Sequence, residues 1–286
     1  YGYKTEKLDK QIAKKLFGGD HEISISRLEK YAACAYAHFL TYGLQLKERC
    51  QFELGAADYG SLFHASISHF FELLEKRHLN WREITDTQRN QLVEESVAKA
   101  MEEYQTTVFD SSARNKSMAG RIRRMTDRTL WALGCQWEHG AYEKTWHELD
   151  FGRAGGNGVT LPVEEGLELS LRGRIDRVDF AEEDGSLYVK VIDYKSGSTK
   201  LDLGKVYYGL QLQLVLYLEA AMAMAAKRNP NRKLIPAGIY YYNMKDPIVS
   251  GFDMTKEEIE VKQQKELRMN GLTSTEKASL LLIDAE

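Results

Sequence analysis

Two carboxylates and a lysine, placed near the ends of neighbouring strands, dominate the chemistry this sequence can offer. They lie in Gly173-Arg174-Ile175-Asp176-Arg177-Val178-Asp179 and in Val191-Ile192-Asp193-Tyr194-Lys195-Ser196-Gly197. In a strand through the second stretch, Leu187, Val189, Val191, Asp193 and Lys195 share one face. Three apolar residues bury the body of that strand, and an acid and a base emerge at its end. Asp176 stands at the matching end of the preceding strand, where a hairpin brings it beside Asp193. Such a cluster suits a hard divalent cation. Magnesium takes oxygen ligands and keeps several waters, so one or two carboxylates plus a substrate phosphate suffice. The cation lowers the pKa of a bound water and offsets charge on the phosphate. The lysine can hold or help deprotonate that water and stabilise developing negative charge. A bare Asp-x-Lys is commonly no more than a surface salt bridge; the second acidic strand separates this pattern from that one.

The elements that must position these groups are legible from periodicity. The first 22 residues are polar and weakly patterned and read as a linker or tail. Ser26-Arg27-Leu28-Glu29 has capping-box form and predicts a helix running toward Leu40. Phe63, Ile67, Phe70, Phe71 and Leu74 have helical spacing over Gly60 to Arg77. Further helices are expected from Asp86 to Tyr104 and from Ala113 to Trp146, so residues 23–146 form a helical part without strands. Strands follow at His147 to Phe151, Val159 to Val163, Leu167 to Phe180 and Leu187 to Tyr194, with Asp184-Gly185 as the last turn. The glycine-rich run from Gly152 to Gly158 precedes no Gly-Lys-Ser/Thr and opens no helix, which predicts a hairpin connection rather than a phosphate cradle. Asp202 is expected to cap a long helix from Leu203 to Lys227, ahead of a strand at Ile239 to Tyr242. Residues 147–250 thus read as an α/β core and 251–286, entered through Thr255-Lys256-Glu257-Glu258, as C-terminal helices. Strands and a helix behind a helical block make an α/β sandwich.

Composition sets the outer bounds. Hydrophobic residues at 43% and charged residues at 28% are those of a globular chain, which argues against a disordered one. The run from Leu210 to Ala226 carries Gln211, Gln213 and Glu219, which argues against a membrane span. No basic-then-apolar leader opens the chain, so the expected location is cytoplasmic. The start at Tyr1 points to a segment of something longer. Cys34, Cys50 and Cys135 show no paired spacing and read as reduced thiols. A formal net charge of −3 means that any grip on nucleic acid must come from a local basic groove or from partner subunits. Arg121, Arg124 and Arg128 share a helix face that could follow a phosphate backbone; the same pattern also describes a solvated face.

The two acidic strands resemble the RecB-like branch of the PD-(D/E)XK nuclease superfamily. Gly60-Ser61-Leu62-Phe63-His64 is similar to that family's Gly-x-x-x-His helix, and Gln213 with Tyr217 is similar to its Gln-x-x-x-Tyr helix. The stretch from Ser24 through Cys34 to Leu44 is similar to the opening of AddB-type nuclease domains. The resemblance runs from about Ile23 to Met269, with its motifs in the expected order. It implies a restriction-endonuclease-like mixed sheet flanked by helices, with an N-terminal helical block. It implies Asp176, Asp193 and His64 as magnesium ligands, with manganese as an alternative ion. Lys195 is implied in catalysis, Gln213 and Tyr217 in positioning the strand, and Glu148 stands as a further candidate acid. The implied activity is cleavage of single-stranded DNA ends, as an exonuclease, beside an AddA-type helicase–nuclease partner in double-strand break repair. A nuclease fold kept as a DNA-binding scaffold is the alternative, although such folds usually lose an acid or the lysine retained here. Members of this type hold a 4Fe–4S cluster, for which Cys34 matches the upstream ligand. Ala35 stands where the family usually has proline, and no cysteine follows Cys135. The cluster is therefore expected only in a longer parent chain.

Overall fold

The computed structural model describes residues 9–17, 22–47, 55–104, 113–152, 159–164, 167–249 and 254–283. The glycine-rich connection expected to be a hairpin falls at 153–158, outside them. In chain order the elements are α1 (Lys10–Phe17), β1 (Glu22–Ser24), α2 (Ile25–Ala33), α3 (Ala35–His38), a π-helical turn (Phe39–Gly43), α4 (Ala56–Lys76), α5 (Asp86–Glu103) and α6 (Ala113–His139). Then come β2 (Lys144–Phe151), β3 (Val159–Glu164), β4 (Leu167–Glu183), β5 (Ser186–Lys195), α7 (Leu203–Tyr207), α8 (Gln213–Arg228), β6 (Lys233–Asn243), α9 (Lys256–Glu266), β7 (Asn270–Thr273) and α10 (Lys277–Ile283). The strands form a mixed seven-stranded sheet in the order β1-β4-β5-β6-β7, with β2 and β3 also pairing with β4. Among the described residues no helix is long and apolar enough to cross a membrane.

The chain divides into two compact units that interleave in sequence. The first takes Tyr1–Phe52, Asp150–Arg174 and Asp202–Met224. There β1 runs parallel to β4 (Glu22 opposite Ser170), and β3 runs antiparallel to it. The second takes Glu53–Leu149, Ile175–Leu201 and Ala225–Glu286. In it β5 is antiparallel to β4 and parallel to β6, and β7 closes antiparallel on β6. With a neighbour on each side, β5 is buried along nearly its whole length. Its core joins Phe63, Ile67 and Phe70 of α4, Leu92 and Val97 of α5, and Leu130 and Leu133 of α6 to Ile192 and Tyr242 of the sheet.

Several expectations shift on the structure. The segment read as a tail contains α1, and β1 opens the part expected to lack strands. The first predicted cap sits two residues earlier: the Ser24 hydroxyl accepts the Arg27 N–H at 3.3 Å. That helix breaks at Cys34, whose backbone is extended and whose Sγ accepts the Ala37 N–H. The long helix after Asp202 is two helices. Gly209 adopts φ +74°, a left-handed terminator open to glycine, and its N–H reaches Val206 O at 3.0 Å while the Leu210 N–H reaches Lys205 O at 2.8 Å. β2 begins at Lys144, so α6 ends well before Trp146. The C-terminal part, expected to be helical, includes β7. The Asp184-Gly185 turn stands as read, with φ +48° and +74° suiting a two-residue hairpin.

Candidate metal and nuclease centre

The centre lies wholly in the second unit. β4 and β5 pair antiparallel from Arg177 opposite Ile192 to Glu183 opposite Ser186, and Asp176 and Asp193 are the next residues beyond the Arg177 end of that ladder. The backbone N–H of Tyr194 donates to Asp176 Oδ2 at 2.7 Å, which fixes that carboxylate against β5. α4 packs its Phe63 and His64 edge-on to Tyr194, with ring centroids 6.2 and 5.9 Å away. This delivers His64 Nδ1 to 3.3 Å from Asp176 Oδ1 and 4.0 Å from Glu148 Oε1. His64, Glu148 and Asp176 offer one ligand atom each, all within 4.8 Å of one another. Asp193, only 2% exposed, pairs with Lys195 Nζ at 2.5 Å.

Electrostatics follow from this crowding. Burial pushes the Asp193 carboxyl up to about 7, the charge of Asp176 adds to that, and Lys195 and His64 only partly offset it. For His64 burial disfavours the imidazolium, but the hydrogen bond and charge of Asp176, with Glu148 and Asp193, outweigh it and raise the pKa. Three acids around one imidazole and one ammonium form a site short of positive charge. An imidazole nitrogen with carboxylate oxygens is a donor set that fits a divalent cation.

Glu148 carries φ +47° inside β2, a left-handed conformation rare for a non-glycine residue. Strain of this kind is retained where surrounding structure overrides it, and such places are commonly functional. Sequence reading marked Glu148 only as a further acid; a lone glutamate at a strand start carries no stronger signal. His64, Asp176, Asp193 and Lys195, all picked out from sequence, are brought together.

Gln213 and Tyr217 belong to the first unit, where they bond to one another, Gln213 Nε2 donating to Tyr217 Oη at 2.9 Å. Glu29 of α2 caps the same turn: its Oε1 accepts the Leu212 and Gln213 N–H groups at 2.6 and 3.1 Å. Tyr217 is buried and meets the Phe151 ring edge-on at 5.8 Å. Of the three α6 arginines, Arg124 pairs with Asp246 at 3.1 Å and Arg128 donates to Gln263 Oε1 at 2.8 Å while lying over Trp131. Arg121 lines a cleft beside the loop Ser196–Gly197–Ser198. Cys34 is exposed, and Cys50 lies outside the described residues. With three cysteines in all, this sequence cannot supply the four thiolates of an iron–sulfur cluster by itself.

The sequence profile of the PD-(D/E)XK nuclease superfamily matches residues 22–281. Curated relatives share the resemblance along almost the entire chain. A protein of Lachnoclostridium phytofermentans, named as one of the subunits of an ATP-dependent helicase/deoxyribonuclease, is 44% identical over 97% of this chain and 23% of its own length. Proteins of the same name from Alkaliphilus metalliredigens and Clostridium acetobutylicum are 36% and 33% identical, over 91% and 100% of this chain and 23% and 25% of theirs. The chain thus spans about a quarter of the length of these relatives. By the extent of the profile match, over a sheet that sets Asp176, Asp193 and Lys195 side by side, the chain belongs to the PD-(D/E)XK nuclease superfamily.

Proposed function

We propose that the chain hydrolyses phosphodiester bonds at single-stranded DNA ends in a magnesium-dependent reaction, manganese serving as a substitute. The observation that carries this reading is the convergence of Asp176 of β4 with Asp193 and Lys195 at the end of β5, with His64 and Glu148 against Asp176. Asp176, Asp193 and His64, joined by Glu148, would hold the cation. When bound, it would lower the pKa of a water and offset charge on the scissile phosphate. Asp193, deprotonated, anchors Lys195 Nζ beside the reacting phosphate. The ammonium there stabilises charge that develops on the phosphoryl oxygens and orients the attacking water. Tyr194 N–H keeps Asp176 aimed, so the ligand set needs little rearrangement. Gln213, whose N–H donates to Glu29 and whose side chain donates to Tyr217, would position the strand together with Tyr217, as the family resemblance implies.

The naming of the relatives as subunits of an ATP-dependent helicase/deoxyribonuclease supports a place in a helicase–nuclease complex. The family resemblance extends that proposal to an AddA-type partner and to double-strand breaks in the bacterial cytoplasm. A longer parent chain would add the remaining thiolates for a 4Fe–4S cluster that includes Cys34. In domain terms, residues 23–286 act as one nuclease domain behind a short leading segment. A non-catalytic scaffold is disfavoured because both acids and the lysine are present and mutually placed. The test compares end-labelled linear single strands with closed single-stranded circles, magnesium present. Shortening of the linear strand with the circle intact is expected. Cutting of the circle would show endonucleolytic action instead, and loss of neither would return the chain to a scaffold role.

A further inference from the structure

A cleft of about 710 Å³ opens immediately past the carboxyl end of β5, within the second unit. Its inner wall is the loop Ser196–Gly197–Ser198, the direct continuation of Lys195. That loop is fixed at both ends. The Met244 N–H donates to Lys195 O at 2.8 Å, and Asn243 holds Thr199 twice, accepting its N–H at 2.7 Å and donating to its carbonyl at 2.8 Å. Four basic residues join that loop in the wall and come from separate elements. Arg121 arrives from α6, Lys245 from the segment after β6, and Lys262 with Lys265 from one face of α9.

Charge balance makes this convergence informative. The acids in the wall are Asp246 and Glu266, and Asp246 is already engaged by Arg124 at 3.1 Å. Among the described residues Arg121, Lys245, Lys262 and Lys265 form no ion pair with a carboxylate; Lys262 Nζ reaches only the soft sulfur of Met254, at 3.3 Å. Four cations gathered from distant parts of the sequence repel one another, and in a chain of net charge −3 they are a local exception. A polyanion relieves that repulsion. The volume is within the range that holds a drug-sized ligand, about 300–1,000 Å³, which gives room for a length of strand rather than one ion.

We propose that this cleft binds the backbone phosphates of the single strand adjoining the scissile bond, through Arg121, Lys245, Lys262 and Lys265. This rests on the nuclease reading above and adds the path by which the strand leaves the centre. The contacts are to phosphate, so they confer affinity and register without base preference. Ser196 and Ser198, exposed on a fixed loop, supply hydroxyl donors between the cations and Lys195.

The experiment is a salt titration of binding. A fluorescein-labelled oligothymidylate is titrated with the full chain in EDTA, followed by anisotropy, for wild type and for a Lys245→Gln/Lys262→Gln/Lys265→Gln variant. Each lost phosphate contact flattens the slope of log K against log salt by about 0.7 for a single strand. Between about 50 and 200 mM salt, that predicts that wild type loses roughly 18-fold more affinity than the triple variant. A control, Lys227→Gln/Lys233→Gln/Lys256→Gln, removes the same charge outside the cleft and is expected to keep most of the wild-type slope. Equal slopes for wild type and the cleft variant would overturn the proposal, as would an equal flattening in the control. Magnesium-dependent cleavage by the same wild-type preparation separates the two readings. A protein that cuts but shows no cleft effect sinks only the cleft, whereas one that neither cuts nor binds sinks both.

Discussion

Replacement of Asp179 by asparagine probes how β4 is held beneath the centre. Asp179 is fully buried, and so nearly are its partners Arg177 and Lys190. Arg177 Nε donates to Asp179 Oδ1 at 2.6 Å and Lys190 Nζ lies 3.2 Å from Oδ2. The guanidinium also sits over the rings of Trp137, Trp81 and Phe71 at 5.0, 5.1 and 5.8 Å. Burial alone would raise the Asp179 carboxyl, yet Arg177 and Lys190 hold it below the usual carboxylate range. Asparagine leaves two buried cations without an anion. Breaking a buried pair costs about 3–5 kcal/mol, and since asparagine keeps one acceptor, a loss near ~3 kcal/mol is expected. That is roughly a 150-fold rise in the unfolding constant. The assay is urea unfolding followed by tryptophan fluorescence, because Trp81 and Trp137 lie on the guanidinium. pH supplies a second, signed readout. Burial already holds Lys190 below its ordinary pKa against the pull of Asp179, and without that carboxylate it falls further. Between its folded value and about 10.4 the unfolded chain then binds a proton that the folded chain lacks, so stability of the variant climbs with pH. The penalty is therefore smaller at pH 9 than at pH 7. A penalty under about 1 kcal/mol, or one that grows at pH 9, would refute the reasoning.

Other perturbations have equally definite expectations. Gly271→Ala would set a Cβ 1.9 Å from Ile239 O, a backbone atom that cannot step aside, so β7 should detach from β6 at a cost of about 3 kcal/mol; a melting temperature equal to wild type would contradict this. Glu29→Ala removes the acceptor of the Leu212 and Gln213 N–H groups at the start of α8 and should cost about 1–2 kcal/mol, with faster amide exchange at Leu212 and Gln213; unchanged exchange there would count against the cap. Glu148→Gln and His64→Ala should each weaken manganese binding at least about tenfold in calorimetry, and wild-type affinity in Glu148→Gln would remove that residue from the ligand set.

Much of the centre was legible because its signals are local. Alternation along Leu187 to Lys195 placed an acid and a base on one face, and Asp184-Gly185 fixed the hairpin whose ladder ends at Arg177 and Ile192, next to Asp176 and Asp193. The helix expected to open at Thr255-Lys256-Glu257-Glu258 forms as α9, and a capping box between Thr255 and Glu258 starts it. What escaped depends on tertiary context. β1 and β7 are only three and four residues long and exist through pairing with β4 and β6, so neither carries a period. The break between α7 and α8 turns on one glycine in an otherwise apolar run, where glycine is tolerated inside helices. The backbone of Glu148 has no sequence signature, since left-handed glutamate is imposed by its surroundings. Arg121, Arg124 and Arg128 share a helix stripe, yet Asp246 holds Arg124 and Gln263 holds Arg128 while Arg121 lines the cleft, which spacing alone does not reveal.

The most direct measurement is cleavage of end-labelled single-stranded DNA by the purified chain with magnesium, compared with EDTA and with an Asp193→Ala variant. Cleavage that requires magnesium and disappears in the variant is the predicted result. Cleavage that persists in EDTA, or that Asp193→Ala carries out at the wild-type rate, would contradict the centre assigned to Asp176, Asp193 and Lys195.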